Sequence, residues 1–296
     1  MGIGVSYLIG PPVVPFDDDT YGETNGDDIF KDPADVLQTK KDIQKYMIIL
    51  FAIGAAIFLL IVVYFPSKPP LPPCASSSVE RTDFKKGWKT VISNKNLWLV
   101  CLVYSVPGGV QAAWQGLMGL NFEHLGVTDT EIGQIGFVSV FVQAATAAAM
   151  AFMQDHFRDK IKESVFVLLT ACAACFVWLA LISFDLIPYS LAQLYVATII
   201  GVSTFYACVP MLFELAVMIA YPTPEGLIGA YLTGVYNFVG CLFFLVMLIP
   251  NIGATWMNYV LVGTTALAIP LLCLVQKPKD FVENAISTHI KKASLT

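Results

Sequence analysis

The chain alternates between long apolar runs and short polar joints. Seven runs reach the length of about twenty residues needed to cross a bilayer: Tyr46–Phe65, Leu97–Leu120, Ile132–Met153, Ser164–Phe184, Leu191–Phe213, Leu227–Ile249 and Thr255–Val275. A backbone inside lipid must satisfy its own hydrogen bonds, so each run reads as an α-helix. The expected class is an all-α membrane protein. Gly2–Pro15 is apolar but too short to span, and it lacks the basic start and small-residue cleavage site of a signal peptide. It reads as the end of a membrane helix. Asp17–Lys45 is polar, with Asp17-Asp-Asp19 and Asp27-Asp28, and reads as a partly disordered loop.

One internal boundary stands out. Pro66-Ser-Lys-Pro-Pro-Leu-Pro-Pro73 is followed by Ser76-Ser-Ser78 and a basic stretch up to Lys95. A polyproline segment acts as a semi-rigid spacer. The chain therefore divides into 1–65, a linker at 66–96, six spans over 97–275 and a tail at 276–296. Lys and Arg set the orientation. Thirteen lie in the loops on the side of the linker and the tail, and four lie in the acidic first loop. The linker and the C-terminus are expected in the cytoplasm.

Composition narrows the classes further. Of the 296 residues 56% are hydrophobic and 13% charged, against about 25% charged in soluble domains. The net charge of −5 gathers near the start, and no basic stripe or nucleic-acid motif accompanies it. No hydrolytic triad, phosphate loop or metal cluster is present, so neither catalysis nor a cofactor is expected. Cys172-x-x-Cys175 lacks a second ligand pair and reads as small-residue helix packing rather than a metal or redox site. Two architectures fit the spans. A seven-helix receptor is disfavoured by the absence of a cysteine in the non-cytoplasmic loops and of Asn-Pro-x-x-Tyr in the last span. Half of a twelve-helix transporter, joined by a long cytoplasmic linker, fits better. A non-transporting scaffold is the remaining alternative.

Candidate chemistry lies in three places. Ser105-Val-Pro-Gly-Gly-Val-Gln-Ala-Ala-Trp-Gln115 sits in the first of the six spans, where Pro107-Gly-Gly109 is expected to break or kink the helix and free backbone groups. Gln111 and Gln115 share a face, with Trp114 beside them. An amide and an indole suit a small ring or a cation, and helix packing is the alternative. Tyr231, Tyr236 and Asn237 are polar positions in the fifth of these spans. Glu214, before the turn Tyr221-Pro-Thr-Pro-Glu-Gly226, reads as a proton acceptor, as a partner of the Asp155–Arg158 loop, or as a cap of the hairpin, with the structural or gating role favoured.

Ala151-Phe-Met-Gln-Asp155-His-Phe-Arg158-Asp-Lys160 resembles, with replacements at both glycines, the charged cytoplasmic loop of the major facilitator superfamily. Tyr64-Phe-Pro-Ser-Lys-Pro-Pro-Leu-Pro-Pro73, Val209-Pro-Met-Leu-Phe-Glu-Leu215 and Tyr221-Pro-Thr-Pro-Glu-Gly226 resemble solute carrier family 49, in particular its disrupted-in-renal-carcinoma type; the feline leukaemia virus subgroup C receptor proteins are relatives. The resemblance runs nearly the whole chain. It implies a facilitator fold and a transporter of a small organic solute. It points to proton-coupled pyridoxine export at the lysosomal membrane, with choline, ethanolamine or haem, and the plasma membrane, as alternatives. It implies that substrate meets Gln111, Trp114, Gln115, Tyr236 and Asn237, and that Glu214, Asp155 and Arg158 gate or couple. It also implies an incomplete fold: the end of the fifth helix, the sixth, and the C-terminal six. The expected partners are the lipid bilayer, the substrate and the other half of the transporter.

Overall fold

The computed structural model describes residues 33–64, 84–157 and 160–276; for 33–36 and 154–157 it describes the backbone alone. Gly2–Pro15, the polyproline spacer, Cys74, Arg158 and the tail beyond Gln276 lie outside the described residues. Seven helices are long and apolar enough to cross a membrane, and among the described residues there is no strand. The helices fall into two compact units. One is the first described helix together with Asp129–Phe137; the other is everything else described.

In the first unit, α1 runs Pro33–Val63. It starts well before the expected Tyr46, so the acidic loop does not extend to Lys45. Proline at the first helical position has its φ already set and needs no N–H partner. Asp42 then accepts from Gln38 Nε2 at 3.0 Å and from Lys45 Nζ at 2.9 Å, spacings that place side chains on one helix face. No described side chain of α1 is buried, and the helix is apolar all round its membrane stretch, as suits lipid surroundings.

In the second unit, α2 is Phe84–Ser93, α3 is Lys95–Gly116 and α4 is Met118–Phe122, followed by a single turn at Glu123–Leu125. α5 is Asp129–Phe157, whose part from Val138 on belongs here. α6 is Ile161–Ser183, α7 is Leu191–Ala220, α8 is Glu225–Val246 and α9 is Trp256–Leu274. Three expectations change. The linker at 66–96 contains α2, whose residues alternate by turn rather than by run and so give no apolar stretch. The span Leu97–Leu120 is interrupted at Leu117. The span Leu191–Phe213 continues two turns further to Ala220, because Glu214 sits among helix-compatible apolar neighbours and nothing stops the helix before Pro222. Glu214 therefore does not cap the hairpin.

α3 is the spine. It touches α7, α8 and α9, and α6 closes the bundle against α7 and α9. Buried residues make up 72% of α3's apolar window, more than in any other span. Pro107 and its glycines do not break it; α3 is continuous through Pro107. The glycines serve packing instead. A Cβ on Gly109 would collide with the Tyr236 carbonyl oxygen and stand 2.9 Å from Val239 Cβ, and one on Gly108 would stand 2.9 Å from the Tyr236 ring. Small residues let membrane helices approach backbone to backbone. Ser105 Oγ reinforces the contact by donating to the Leu232 carbonyl at 3.0 Å. The same device holds α6 on α7. Gly201 faces Phe176 and Cys175, and the Cys172 thiol donates to the Gly201 carbonyl at 3.3 Å, which is the packing role expected for that cysteine pair.

Helix ends at one pole of the unit are closed by side chains. Asn94 Oδ1 accepts from the N–H groups of Asn96 and Leu97 at 3.1 and 3.2 Å, capping α3, while its Nδ2 donates to the Ile219 carbonyl near the end of α7 at 3.3 Å. Lys162 donates to the Cys273 carbonyl at 2.8 Å and to that of Val275, putting a cation where the helix dipole of α9 is negative. Asn96 Nδ2 reaches Gln276 Oε1 at 3.1 Å. Lys85, Lys86, Lys89, Lys95 and Lys162 all belong to this pole, by their places at or next to these helix ends.

Gly109→Ala should cost on the order of 1–3 kcal/mol through overpacking, read as a lower thermal unfolding midpoint in detergent. Gly234→Ala, on α8 with nothing within 4 Å of its Cβ position, should not lower the midpoint.

Candidate functional site

One stripe of α3 carries the chemistry. Tyr104, Gly108, Gln111 and Gln115 recur at steps of four, three and four, which aligns them on one helix face. Tyr104, Gln111 and Gln115 are all buried. The Tyr104 ring stacks on Tyr236 of α8, with centroids 5.6 Å apart and planes at 16°, and meets Phe213 of α7 edge-on at 5.2 Å. One turn along, Gly108 leaves room for Tyr236 and Phe205. A further turn along, Gln111 Nε2 donates to the Val202 carbonyl at 3.4 Å. Rings and an amide thus form a continuous wall where α3, α7 and α8 meet.

The polar end of that wall is incompletely satisfied. Gln111 is 1% exposed, and among the described residues no donor reaches its Oε1. On α7, Ser203 follows Val202 directly; its carbonyl accepts from Thr146 Oγ1 of α5 at 3.2 Å, but its own hydroxyl is buried and without a partner. Gln143 Nε2, one turn before Thr146 on α5, is also buried and unpaired. An unmade hydrogen bond on a buried group costs about 1–3 kcal/mol, so such groups are few and each calls for a reason. Here an orphan acceptor on α3 and an orphan hydroxyl on α7 border the Val202–Ser203 peptide, with an orphan donor one turn from Thr146 on α5. That is the arrangement a polar solute or a water could complete.

The other expected site residues lie elsewhere. Trp114 is fully buried and turned away from this stripe; its Nε1–H donates to Asn258 Oδ1 at 3.0 Å and its ring meets Phe122 edge-on at 5.7 Å. Asn121 and Asn258 exchange amide hydrogen bonds at 2.9 and 3.1 Å. This indole–amide knot joins α3, α4 and α9 at the pole away from the lysines. Asn237 is exposed, and its Nδ2 donates to the Thr233 carbonyl of its own helix at 2.8 Å. Glu214 is half-buried, six residues before the end of α7. A helix of 30 residues is about 45 Å long, and the apolar core of a bilayer is about 30 Å thick. Glu214 falls near the edge of that slab, not at its middle. The side chain of Asp155, and Arg158 altogether, lie outside the described residues, so their pairing with Glu214 has no geometry here.

Asn121, Asn258, Gln143, Thr146, Ser203 and Tyr104 were not singled out by sequence reasoning. A polar residue isolated in an apolar run was the available signal for the asparagines and Gln143. Open grooves lie at both ends of the unit: one of about 510 Å³ at the lysine pole and one of about 580 Å³ lined by Glu123, His124 and the α8–α9 turn. Among the described residues, no group of His, Cys, Asp or Glu is placed to hold a metal ion.

Seven membrane-length helices, glycine-mediated helix contacts and a half-satisfied polar wall inside the bundle define a multi-pass α-helical membrane protein. The profile of the Major Facilitator Superfamily matches residues 1–248, and the chain belongs to that family. It is similar to the solute carrier family 49 member 4 homolog of Xenopus tropicalis, at 26% identity over 283 residues, and to that of Xenopus laevis, at 27% over 285 residues; each match covers 95% of this chain and 61% of the relative. The chain thus spans about three fifths of the length of the curated relatives it matches. The family and these relatives agree with the resemblance read from the Pro-rich and Tyr221–Gly226 motifs.

Replacing Asn258 by Leu removes the shared acceptor of Trp114 and Asn121. It should destabilise by about 1–3 kcal/mol, seen as a lower unfolding midpoint. Trp114→Phe, which removes only one donor, should cost less; equal or greater loss from Trp114→Phe would show that the ring and not the knot matters.

Proposed function

We propose that this chain is part of a transporter that moves a small organic solute by alternating access. In this reading Lys95–Leu274 is the C-terminal six-helix half, α1 closes the N-terminal half, and the segment between them is a cytoplasmic linker. The observation that carries it is the orphaned Gln111 amide oxygen beside the stacked Tyr104 and Tyr236 rings, inside a family whose substrates lie between two halves near the midplane. Gln111 and Tyr236 meet the substrate, with Gln115 one turn along the same face of α3; Asn237, exposed on α8, faces the opposite half; Trp114 holds α3 in place from the α9 side.

Stacked phenol rings with amide and hydroxyl groups beside them suit a small polar ring such as pyridoxine, or a compact cation such as choline held over an aromatic face. Pyridoxine moved with a proton across the lysosomal membrane is the leading case, on the resemblance to solute carrier family 49. Glu214 gates from the edge of the membrane, paired with the Asp155–Arg158 loop.

The test is uptake into liposomes by the protein together with its N-terminal half. Uptake of pyridoxine or choline should saturate. Gln111→Leu should lower it roughly tenfold, the equivalent of one good hydrogen bond, without lowering the unfolding midpoint, because a half-satisfied buried amide adds little to stability. Glu214→Gln should slow uptake at acid and neutral pH alike. A broad metabolite panel without uptake, alongside a ligand that raises a signalling output, would favour a receptor.

A further inference from the structure

α2 is a basic amphipathic helix fixed at the edge of the bilayer. Each residue turns about 100°, which sorts its side chains into three arcs. Gly87 and Val91 are buried, Gly87 against Leu227, Pro224 and Thr223 around the α7–α8 turn. Phe84, Trp88 and Ile92 come next and form an apolar ridge, 68%, 42% and 48% exposed. Lys85 and Lys89 flank that ridge, and Lys86 lies beyond them; all three are exposed.

The depth of this helix is set by its neighbours. α3 begins at Lys95, two residues after α2 ends. Trp98, on the first turn of that membrane span, donates its indole N–H to the Ile92 carbonyl at 2.8 Å. Trp88 and Trp98 both meet the Tyr231 ring edge-on, at 6.4 and 5.4 Å. α2 is therefore tied at the level where a spanning helix enters the bilayer, the headgroup zone in which Trp and Tyr settle.

Those lysines are uncommitted. A groove of about 510 Å³ is lined by Lys86, Lys89, Thr90, Ser93 and Asn94. Thr90 and Ser93 donate their hydroxyl protons to the carbonyls of Lys86 and Lys89, at 3.0 and 2.7 Å, and the Asn94 amide is engaged with Ile219. The ammonium groups are the free donors, and among the described residues no carboxylate pairs with them. Unpaired cations beside an apolar ridge match a negatively charged headgroup carrying acyl chains, and attraction of this kind grows with each Lys near the surface. We propose that α2 is a binding site for anionic phospholipid, with Lys85, Lys86 and Lys89 holding the headgroup charge and Phe84, Trp88 and Ile92 seated in the acyl region.

The test needs no transport. The protein is placed in nanodiscs of phosphatidylcholine with or without phosphatidylserine, and retained lipid is counted by native mass spectrometry while hydrogen exchange is followed over α2. Phosphatidylserine should be retained, and it should slow exchange in α2 relative to phosphatidylcholine alone. The triple change Lys85→Gln, Lys86→Gln, Lys89→Gln should lower retention roughly tenfold or more, since each lysine near a charged surface adds to the attraction. The corresponding triple Arg variant should retain it, which separates lost charge from lost folding. Lys40→Gln, Lys41→Gln and Lys45→Gln together should change nothing. Equal retention by the Gln triple, loss in the Arg triple, or displacement of the lipid by inorganic phosphate alone would overturn the proposal.

Discussion

The second unit depends on how closely α3 and α8 approach. In lipid, apolar side chains gain little by leaving one apolar medium for another, so helices are held by close packing and by hydrogen bonds that lipid cannot offer. Gly108 and Gly109 make that closeness possible: side chains there would run into the ring and carbonyl of Tyr236. The consequences spread from this point. Tyr236 is pressed onto Tyr104, and the Ser105 hydroxyl reaches Leu232. The candidate wall is a by-product of two missing side chains.

A second principle governs the ends of the helices. A spanning helix leaves unpaired N–H groups at one end and carbonyls at the other, and both must be met where water is scarce. Asn94 serves two helices at once, and Lys162 covers the last carbonyls of α9. The lysines from which an orientation was expected are thus partly the groups that finish the helices. Orientation and local stability draw on the same residues.

The seven spans were legible because a bilayer imposes a length and a composition that few other environments require. Their ends were less so. α1 was missed over its first turns because Asp42, Lys41 and Lys45 look like loop residues until their helical spacing is considered. α7 was bounded at Phe213, short of the Tyr221–Gly226 turn at which it ends. α2 was hidden because a short amphipathic helix leaves no apolar run. Within the site, Gln111 and Tyr236 were visible as polar residues in apolar stretches. Their setting was not, since the relation of Gln111 to Val202, or of Trp114 to Asn258, separated by 144 positions, exists only after packing. Pro107-Gly-Gly109 carried a meaning the sequence did not show: no break occurs there, and its glycines are contact surface for another helix.

The two poles of the unit are fastened by different kinds of bond. The knot of Trp114, Asn121 and Asn258 is made of an indole and two amides, none of which gains or loses a proton in any cellular compartment. The lysine pole is fastened and lined by cations. Ionic strength therefore has nothing to act on at the first fastening and much to act on at the second. The unit thus keeps one latch of constant strength and has another that registers the salt around it.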